Sequence, residues 1–346
     1  MARSVSLFPF IAVFLGAPGV ADSPRRDGSV RETVQVERVL VDAYVTTGSG
    51  EPIPDLSAAD FRVKVNGRPV ELESVEWIPA GQPEVVPLPS DAAGEAGEGP
   101  ATLVWPPGRV IVIFVQEDFT RARHKGLMKM GQHLDRFLST LLPTDRVAVV
   151  SYDSHLKLRR DFTADRKEIR AAFFESFWFN EPRPPAPGPF PSLARYLDFQ
   201  AAKNAASVDK GLAVLARALA PIPGGKAMLY FGWGLQVDRT PAEGRAAGEA
   251  LAALYEARVN VFTLDISDAD YHTLELRLMD MADLTGGRYE KTHIFTGGAL
   301  ARVVRSLGGR YVLVFVKPAG QHGYHPLSVE LAGRKGNVAA RAYYQD

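Results

Sequence analysis

The chain has 346 residues, of which 46% are hydrophobic and 23% are charged, a length and composition that suit one large or two modest folded domains. Its 40 basic and 40 acidic residues give a formal net charge of zero, which argues against a dedicated nucleic-acid-binding protein because such proteins usually present a basic face. There is no cysteine, so disulfides and a cysteine-linked lipid anchor are excluded. This composition is more typical of a bacterial exported protein than of a secreted animal domain.

Residues 1–21 have the pattern of a signal peptide. Arg3 supplies a short positive segment, residues 5–15 are mostly apolar, and Gly19-Val20-Ala21 is a small-residue cleavage site. The apolar stretch is too short to cross a bilayer comfortably. We therefore expect cleavage after Ala21 and a periplasmic or extracellular protein with no membrane span after cleavage. The alternative is that the segment is retained as an anchor.

The segment 30–80 is predicted to be a small β-sandwich module. Residues 33–45 and 60–65 alternate between apolar and polar side chains, which is typical of half-buried strands. Asn66-Gly67 is a strong signal for a two-residue hairpin turn, and residues 69–78 form the returning strand. No pattern of helical length interrupts this region.

Residues 81–107 form a proline- and glycine-rich linker with too little apolar surface to fold alone. From residue 108 onward, strands alternate with amphipathic helices, which predicts βαβ units. We assign 108–317 to one α/β domain, a doubly wound and mostly parallel sheet with helices on both faces. Its first strand, 109–115, is continuously apolar and so is expected to be buried on both faces. Residues 156–163 are predicted to form a short hairpin, and 311–316 the last strand of this domain.

The C-terminal segment 318–346 carries two strands, at 326–331 and 337–344, with polar and apolar residues in alternation. Such alternation suits a half-exposed antiparallel layer and not a buried parallel sheet. We expect both strands to pack with the N-terminal module instead of extending the α/β sheet.

The predicted binding edge lies where the strands of the α/β domain end, because ligands of open α/β sheets bind beyond the carboxyl ends of the strands. No phosphate-binding glycines follow the first strand. The candidate interaction edge consists of Gln116, Glu117, Asp118, Trp233 and Asp265. An exposed Trp233 would be either a binding hot spot or a lid over an empty pocket. Weak candidates for metal ligands are Glu117, Asp118, Asp265 and Asp268, although acids at a strand-to-helix junction more often cap a helix.

Several stretches resemble one family in their order along nearly all of the predicted mature chain: residues 39–45, 56–63, 142–149 (Leu-Pro-Thr-Asp-Arg-Val-Ala-Val), 225–235 (Gly-Lys-Ala-Met-Leu-Tyr-Phe-Gly-Trp-Gly-Leu) and 311–316. They resemble a von Willebrand factor A domain, and more narrowly the exported VWFA-related proteins common in acidobacteria. The resemblance implies a Rossmann-like α/β fold and a role in protein binding. It also implies a metal-ion-dependent adhesion site with an Asp after the first strand, two hydroxyls nearby, a Thr before a later helix and an Asp after the fourth strand.

This sequence departs from that metal-site pattern at several positions. Gln116 stands where the first Asp is expected, residues 204–207 offer no Thr, and Gly232-Trp233-Gly234 has no acid. An amide oxygen is a weaker ligand for Mg²⁺ than a carboxylate. We therefore predict a degenerate site, with no cofactor and an unidentified protein as the partner.

Two alternatives stay open. The first is an adhesion domain that binds Mg²⁺ or Ca²⁺ through a rearranged site. The second, more remote, is a hydrolase that uses the carboxylates at the sheet edge. The sequence has no Gly-x-Ser-x-Gly, His-Glu-x-x-His, Walker or Gly-x-Gly-x-x-Gly motif, so a non-catalytic protein is the leading prediction.

Overall fold

A computed structural model describes residues 37–87, 102–104, 108–117, 120–235, 241–269, 271–320 and 322–345. The predicted signal peptide and most of the predicted linker lie outside these residues, and so does Asp118. Within the described residues, no helix is long and apolar enough to cross a membrane.

The strands, in chain order, are β1 (Arg38–Thr46), β2 (Phe61–Val65), β3 (Arg68–Val70), β4 (Leu72–Pro79), β5 (Val85–Pro87), β6 (Thr102–Val104), β7 (Val110–Gln116), β8 (Arg146–Tyr152), β9 (Leu156–Thr163), β10 (Lys226–Gly232), β11 (Val259–Asp265), β12 (Tyr289–Lys291), β13 (Gly309–Val316), β14 (Tyr324–Leu331), β15 (Asn337–Ala340) and β16 (Tyr343–Gln345). The helices are α1 (Arg121–Ser139), α2 (Arg166–Glu175), α3 (Phe199–Lys203), α4 (Val208–Leu219), α5 (Pro241–Glu256), α6 (Glu275–Thr285) and α7 (Thr296–Ser306).

The central sheet has six strands in the order β12-β11-β10-β7-β8-β9. All neighbouring pairs are parallel except β8 and β9, which are antiparallel. Counted from β7, this is the order 3-2-1-4-5-6 of a doubly wound α/β fold. Every residue of β7, β10 and β11 is buried, as their apolar runs predict. The predicted fold class is confirmed.

Helices cover both faces of this sheet, because successive side chains of a strand point to opposite sides. Val112 and Phe114 of β7 belong to a core that α4, α5 and α6 share. Ile111 and Ile113 belong to a second core, with α1, α2 and α7. The two cores leave the ends of the strands as the places where a ligand can reach the sheet.

The remaining strands form antiparallel sheets around a third core. One sheet has the order β15-β1-β13-β4 and another the order β16-β14-β2-β3. The strands near both ends of the chain therefore pair with each other, as expected: β15 with β1, and β14 with β2. Asn66 and Gly67, between β2 and β3, have φ values of 51° and 75°, which a two-residue type I′ hairpin requires.

Three details differ from the sequence predictions. Strand β13 pairs with β1 and β4 and not with the parallel sheet, so the predicted domain boundary at 317 is wrong. Its apolar run indicates burial on both faces but cannot say which strands are its neighbours. Residues 156–163 are one strand, β9, and not a hairpin. The predicted strand 337–344 is interrupted, and its last part, β16, pairs with β14.

A buried ionic cluster joins the antiparallel strands to the base of the α/β sheet. Asp42 of β1 is within 2.8 Å of Arg258 and 3.0 Å of Arg310, and Glu84 is within 2.7 Å of Arg258 and also contacts Arg310. Burial raises the pKa of Asp42, but the two guanidinium groups outweigh that effect and hold the pKa well below its usual range. The cluster contains two acidic and two basic side chains, so their formal charges cancel.

Lys226 lies beside this cluster and is 2% exposed. Its Nζ donates hydrogen bonds to the carbonyl oxygens of Gly224 (2.8 Å) and Ala257 (2.7 Å). Burial, aided by repulsion from Arg258, lowers the pKa of Lys226 to about 7. A neutral amine has two N–H groups, which matches these two acceptors.

Candidate functional site

The candidate site is the edge of the central sheet where β7, β10 and β11 end, at Gln116, Gly232 and Asp265. The order of the strands reverses between β7 and β10, which makes this the topological switch point of the sheet. Gln116 and Asp265 of the predicted edge therefore lie at the ends of strands β7 and β11, and the predicted Trp233 directly follows the end of β10.

Gln116 is 1% exposed, and its side-chain amide ties β7 to the loop after β10. The amide oxygen accepts hydrogen bonds from the Tyr230 hydroxyl (2.8 Å), from the Trp233 backbone N–H (3.1 Å) and, at 3.4 Å, from the Gly234 N–H. The amide nitrogen donates to the Gly234 carbonyl at 2.8 Å. Both ends of the amide are therefore used inside the protein.

Gly232 makes this arrangement sterically possible. A Cβ atom at this position would lie 2.2 Å from Cε1 of Tyr230 and 2.6 Å from Oε1 of Gln116. Contacts that short do not occur between real atoms, so any larger residue would displace the Gln116 amide or the Tyr230 ring. Gln116 at the end of β7 thus requires a glycine at the end of β10.

Trp233 is half-buried beneath Arg123 of α1. The Arg123 guanidinium carbon lies 3.4 Å from the centroid of the Trp233 ring, close enough for a cation–π interaction. The indole Nε1 is buried and has no acceptor among the residues that the structure describes. The ring also packs against the core of this face. The ring therefore lies between the core and the Arg123 guanidinium group, and both predicted roles of Trp233 stay predictions.

Glu117 is 2% exposed and follows Gln116 directly. Its Oε1 lies 3.2 Å from Nδ1 of His124 in α1, and its backbone N–H donates to the Tyr152 carbonyl at 2.8 Å. The carboxylate therefore faces the first turn of α1. The role predicted for its neighbour Asp118 remains a prediction, because that residue lies outside the described part of the chain.

Asp265 is 1% exposed, and four donors hold its carboxylate. Oδ1 accepts from the Ser267 backbone N–H (3.0 Å) and hydroxyl (2.6 Å). Oδ2 lies 2.8 Å from Nε2 of His272 and accepts from the Tyr289 hydroxyl at 2.9 Å. Burial raises the pKa of Tyr289, and the carboxylates of Asp265 and Glu275 raise it further, so the phenol remains a proton donor.

Asp268 is directed toward α1. Its two oxygens accept from Lys125 (2.9 Å) and Lys129 (3.0 Å). Hydrogen bonds from Lys125 and Lys129 lower the pKa of Asp268 to about 2. This carboxylate is an ion-pair partner for the surface of α1, on the same side of the sheet as Arg123.

The donors that surround these predicted residues, namely Tyr230, His272 and Tyr289, were not predicted from the sequence. His272 and Tyr289 are 7 and 24 residues from Asp265, so only the fold brings them together. A tyrosine in the apolar run of β10 is the one signal that was present, since a buried hydroxyl needs a partner. Within the described residues, no group of three or more His, Asp or Glu side chains could hold a metal ion.

No protein-family model and no curated protein sequence matches this chain. Among solved structures, similarity extends to a von Willebrand factor type A protein from Catenulispora acidiphila, with a TM-score of 0.40 and 14% identity over 84% of this chain and 75% of that one. An aerotolerance-related membrane protein from Bacteroides fragilis has a TM-score of 0.38 and 9% identity over 58% of this chain and 98% of that one. BatB, a conserved hypothetical protein from Bacteroides thetaiotaomicron, has a TM-score of 0.39 and 13% identity over the same shares. At these scores the functional conclusion has to rest on the residues of this chain.

Proposed function

We propose that this protein is an exported, non-catalytic, protein-binding module of the von Willebrand A type, and that it binds its partner without a metal ion. Support for the module type comes from the strand order of the central sheet, with its antiparallel edge strand β9, and from the sequence stretches that resemble that family. Support for export comes from the signal-peptide pattern in residues 1–21.

The proposal that binding needs no metal ion rests on the hydrogen bonds that the Gln116 amide makes. A hard cation needs several convergent oxygens, carboxylates above all. At the end of β7 the only side-chain oxygen of Gln116 accepts hydrogen bonds from Tyr230 and from the loop after β10. Turning that oxygen toward a cation would leave buried donors without partners, which costs about 1–3 kcal/mol for each group.

The hydrogen bonds of Asp265 support the same conclusion. The four donors on Asp265 supply locally the positive polarity that a cation would otherwise provide. The hydrolase alternative needs a carboxylate that a substrate can reach, whereas Asp265 is 1% exposed and its oxygens are engaged by Ser267, His272 and Tyr289.

Thermal melts with and without divalent cations test the metal-independent proposal. An ion that binds only the folded state stabilises it by RT ln(1 + [L]/Kd), about 2.7 kcal/mol at a hundredfold excess over Kd. We expect melts in EDTA, in millimolar Mg²⁺ and in millimolar Ca²⁺ to coincide. The adhesion-site alternative predicts a rise of several degrees that Asp118→Ala abolishes and Asp135→Ala, an exposed position on α1, leaves intact.

Export is tested separately, by expressing the full chain and a chain that lacks residues 1–21. We expect the full chain outside the inner membrane with a new N-terminus after Ala21, and the shortened chain in the cytoplasm. Mass spectrometry distinguishes the outcomes. An exported protein that still begins at Met1 would contradict cleavage and favour a retained anchor.

A further inference from the structure

The loop between α2 and α3 contains an unusual run of prolines. In residues 181–187, Glu-Pro-Arg-Pro-Pro-Ala-Pro, every residue either is a proline or precedes one. Proline fixes φ near −65° and pushes the preceding residue toward extended or polyproline II backbone. The local sequence alone therefore favours a polyproline II conformation, and we call residues 181–187 the proline rib.

The exposure of this loop follows the same geometry. Pro182, Pro185 and Gly188 are half-buried, whereas the residues between them are exposed. A polyproline II helix has three residues per turn, so one residue in three packs on the protein and the other two face outward. The outward face includes Arg183, Pro184, Ala186 and Pro187.

Buried polar side chains of β9 anchor both ends of the rib. Lys157 Nζ donates to the Asn180 carbonyl at 3.3 Å, and Arg159 donates to the Asn180 side chain and to the Trp178 carbonyl. At the other end, Asp161 accepts from Ser192 Oγ at 2.6 Å and from Leu193 N at 2.6 Å. The rib is held in place before any partner arrives, which lowers the entropy cost of binding.

Exposed aromatic side chains flank the rib on both sides. Trp178 is 66% exposed, Phe190 45%, Tyr196 37% and Phe199 36%. Polyproline II segments are recognised by aromatic surfaces. One stretch of this chain, residues 178–199, therefore carries both components of such an interface.

The charges of the rib are self-complementary. Glu181 is an acid whose Oε2 lies 3.0 Å from Nε2 of His155 and 3.7 Å from Nζ of Lys157, and its side chain is still 64% exposed. Arg183, two residues later, is exposed and has no ion pair among the residues that the structure describes. In a two-fold symmetric contact, the same surface patch of both copies meets. If one residue contacts a second residue across the axis, the second also contacts the first. Arg183 of each copy would then face Glu181 of its partner.

We propose that the proline rib and its flanking aromatics form a self-association surface, through which two copies of this chain bind each other about a two-fold axis. The rib of each copy packs on the exposed aromatics of its partner, and the two Glu181–Arg183 pairs fix the orientation. This proposal does not depend on the absence of a metal at the sheet edge, because the surface lies on the loop that covers β9.

Sedimentation equilibrium of the full mature chain, from micromolar to near-millimolar concentration, tests the proposal with charge-reversal variants. We expect the wild type to dimerise and either Arg183→Glu or Glu181→Arg alone to weaken the dimer about tenfold or more, because each creates like charges across the contact. An equimolar mixture of the two variants should form heterodimers at least as well as the wild type forms homodimers. Arg68→Glu, which makes the same charge change on the exposed β2–β3 hairpin, should have no effect.

Trp178→Ala provides a second variant that leaves the charges in place, and it should also weaken the dimer. Circular dichroism melts confirm that each variant is folded. A wild type that stays monomeric at every concentration would overturn the proposal and leave the rib to a different partner. A dimer that Arg183→Glu and Arg68→Glu affect equally, or that the mixture of variants fails to restore, would overturn it as well.

Discussion

Replacing Lys226 by methionine should change how the stability of this protein depends on pH. The pKa of the Lys226 ammonium is 10.5 in the unfolded chain and about 7 in the fold. Between these values the unfolded chain binds one more proton than the folded chain, so the free energy of unfolding rises with pH. Below pH 7 the ammonium is charged in both states, so the folded state carries the full free-energy cost of burying that charge.

The magnitude follows from the size of the shift. One pKa unit is worth about 1.4 kcal/mol, so between pH 7 and pH 10 Lys226 should add about 4 kcal/mol to the free energy of unfolding. Methionine has similar length and no charge, but it leaves the carbonyls of Gly224 and Ala257 without their donor, at about 1–3 kcal/mol for each lost partner. The variant should therefore be closest to the wild type, or more stable, near pH 7 and clearly less stable at pH 10.

Urea denaturation of the wild type and of Lys226→Met, at intervals from pH 6 to pH 10, measures this directly. Other titrating groups are common to both proteins and cancel in the difference. A difference that rises by several kcal/mol across this range supports a neutral Lys226 in the fold. A difference that stays constant with pH would refute the reasoning, because it would mean that Lys226 keeps its proton when buried.

Two further substitutions test the edge of the sheet and its base. Gln116→Leu should lower the free energy of unfolding by about 2–4 kcal/mol in urea denaturation, because the Tyr230 hydroxyl and the loop after β10 lose their partner. The matched control is Gln200→Leu, at an exposed position of α3. Equal effects of the two substitutions would contradict the role of the Gln116 amide. Asp42→Asn should cost about 3–5 kcal/mol at pH 7 because it leaves buried guanidinium charge unbalanced. Since the pKa of Asp42 is depressed in the fold, the wild type should lose this advantage as the pH falls below the ordinary range of an aspartate, and a gap between the two proteins that persists in acid would contradict the ion-pair interpretation.

The sequence predicted the centre of the α/β sheet because periodicity reports burial directly. Strands β7, β10 and β11 are mostly apolar, and each is buried throughout. Hydrophobic periodicity does not predict burial where the buried side chains are polar. Lys157, Arg159 and Asp161 alternate along β9 in the way expected of a solvent-facing strand side, yet each is 8% exposed or less because the proline-rich loop covers them. It also says nothing of partners, so β13 was placed in the wrong sheet.

The candidate site, too, was predicted only in part. The rule that ligands bind beyond the carboxyl ends of parallel strands placed Gln116 and Asp265 at one edge, and the structure agrees. The hydrogen-bond donors that occupy these side chains could not be predicted, because Tyr230 is 114 residues from Gln116. Asp268 was a weak candidate for a metal ligand, and in the structure its carboxylate pairs with Lys125 and Lys129 of α1.

The pairing of β1 with β13 and β15, and of β2 with β14, has a consequence for the order of events during biogenesis. These contacts join residues separated by more than half of the chain, so the antiparallel layer can close only after the last strands have been synthesised or translocated. The α/β units form from shorter-range contacts and can assemble first. Until closure, β1 and β2 present open edges, which are the usual starting points of aggregation. Premature termination between β12 and β13 therefore yields a chain that keeps every strand of its central sheet but leaves the edges of β1 and β2 unpaired, a defect that exposes the chain to quality-control proteases.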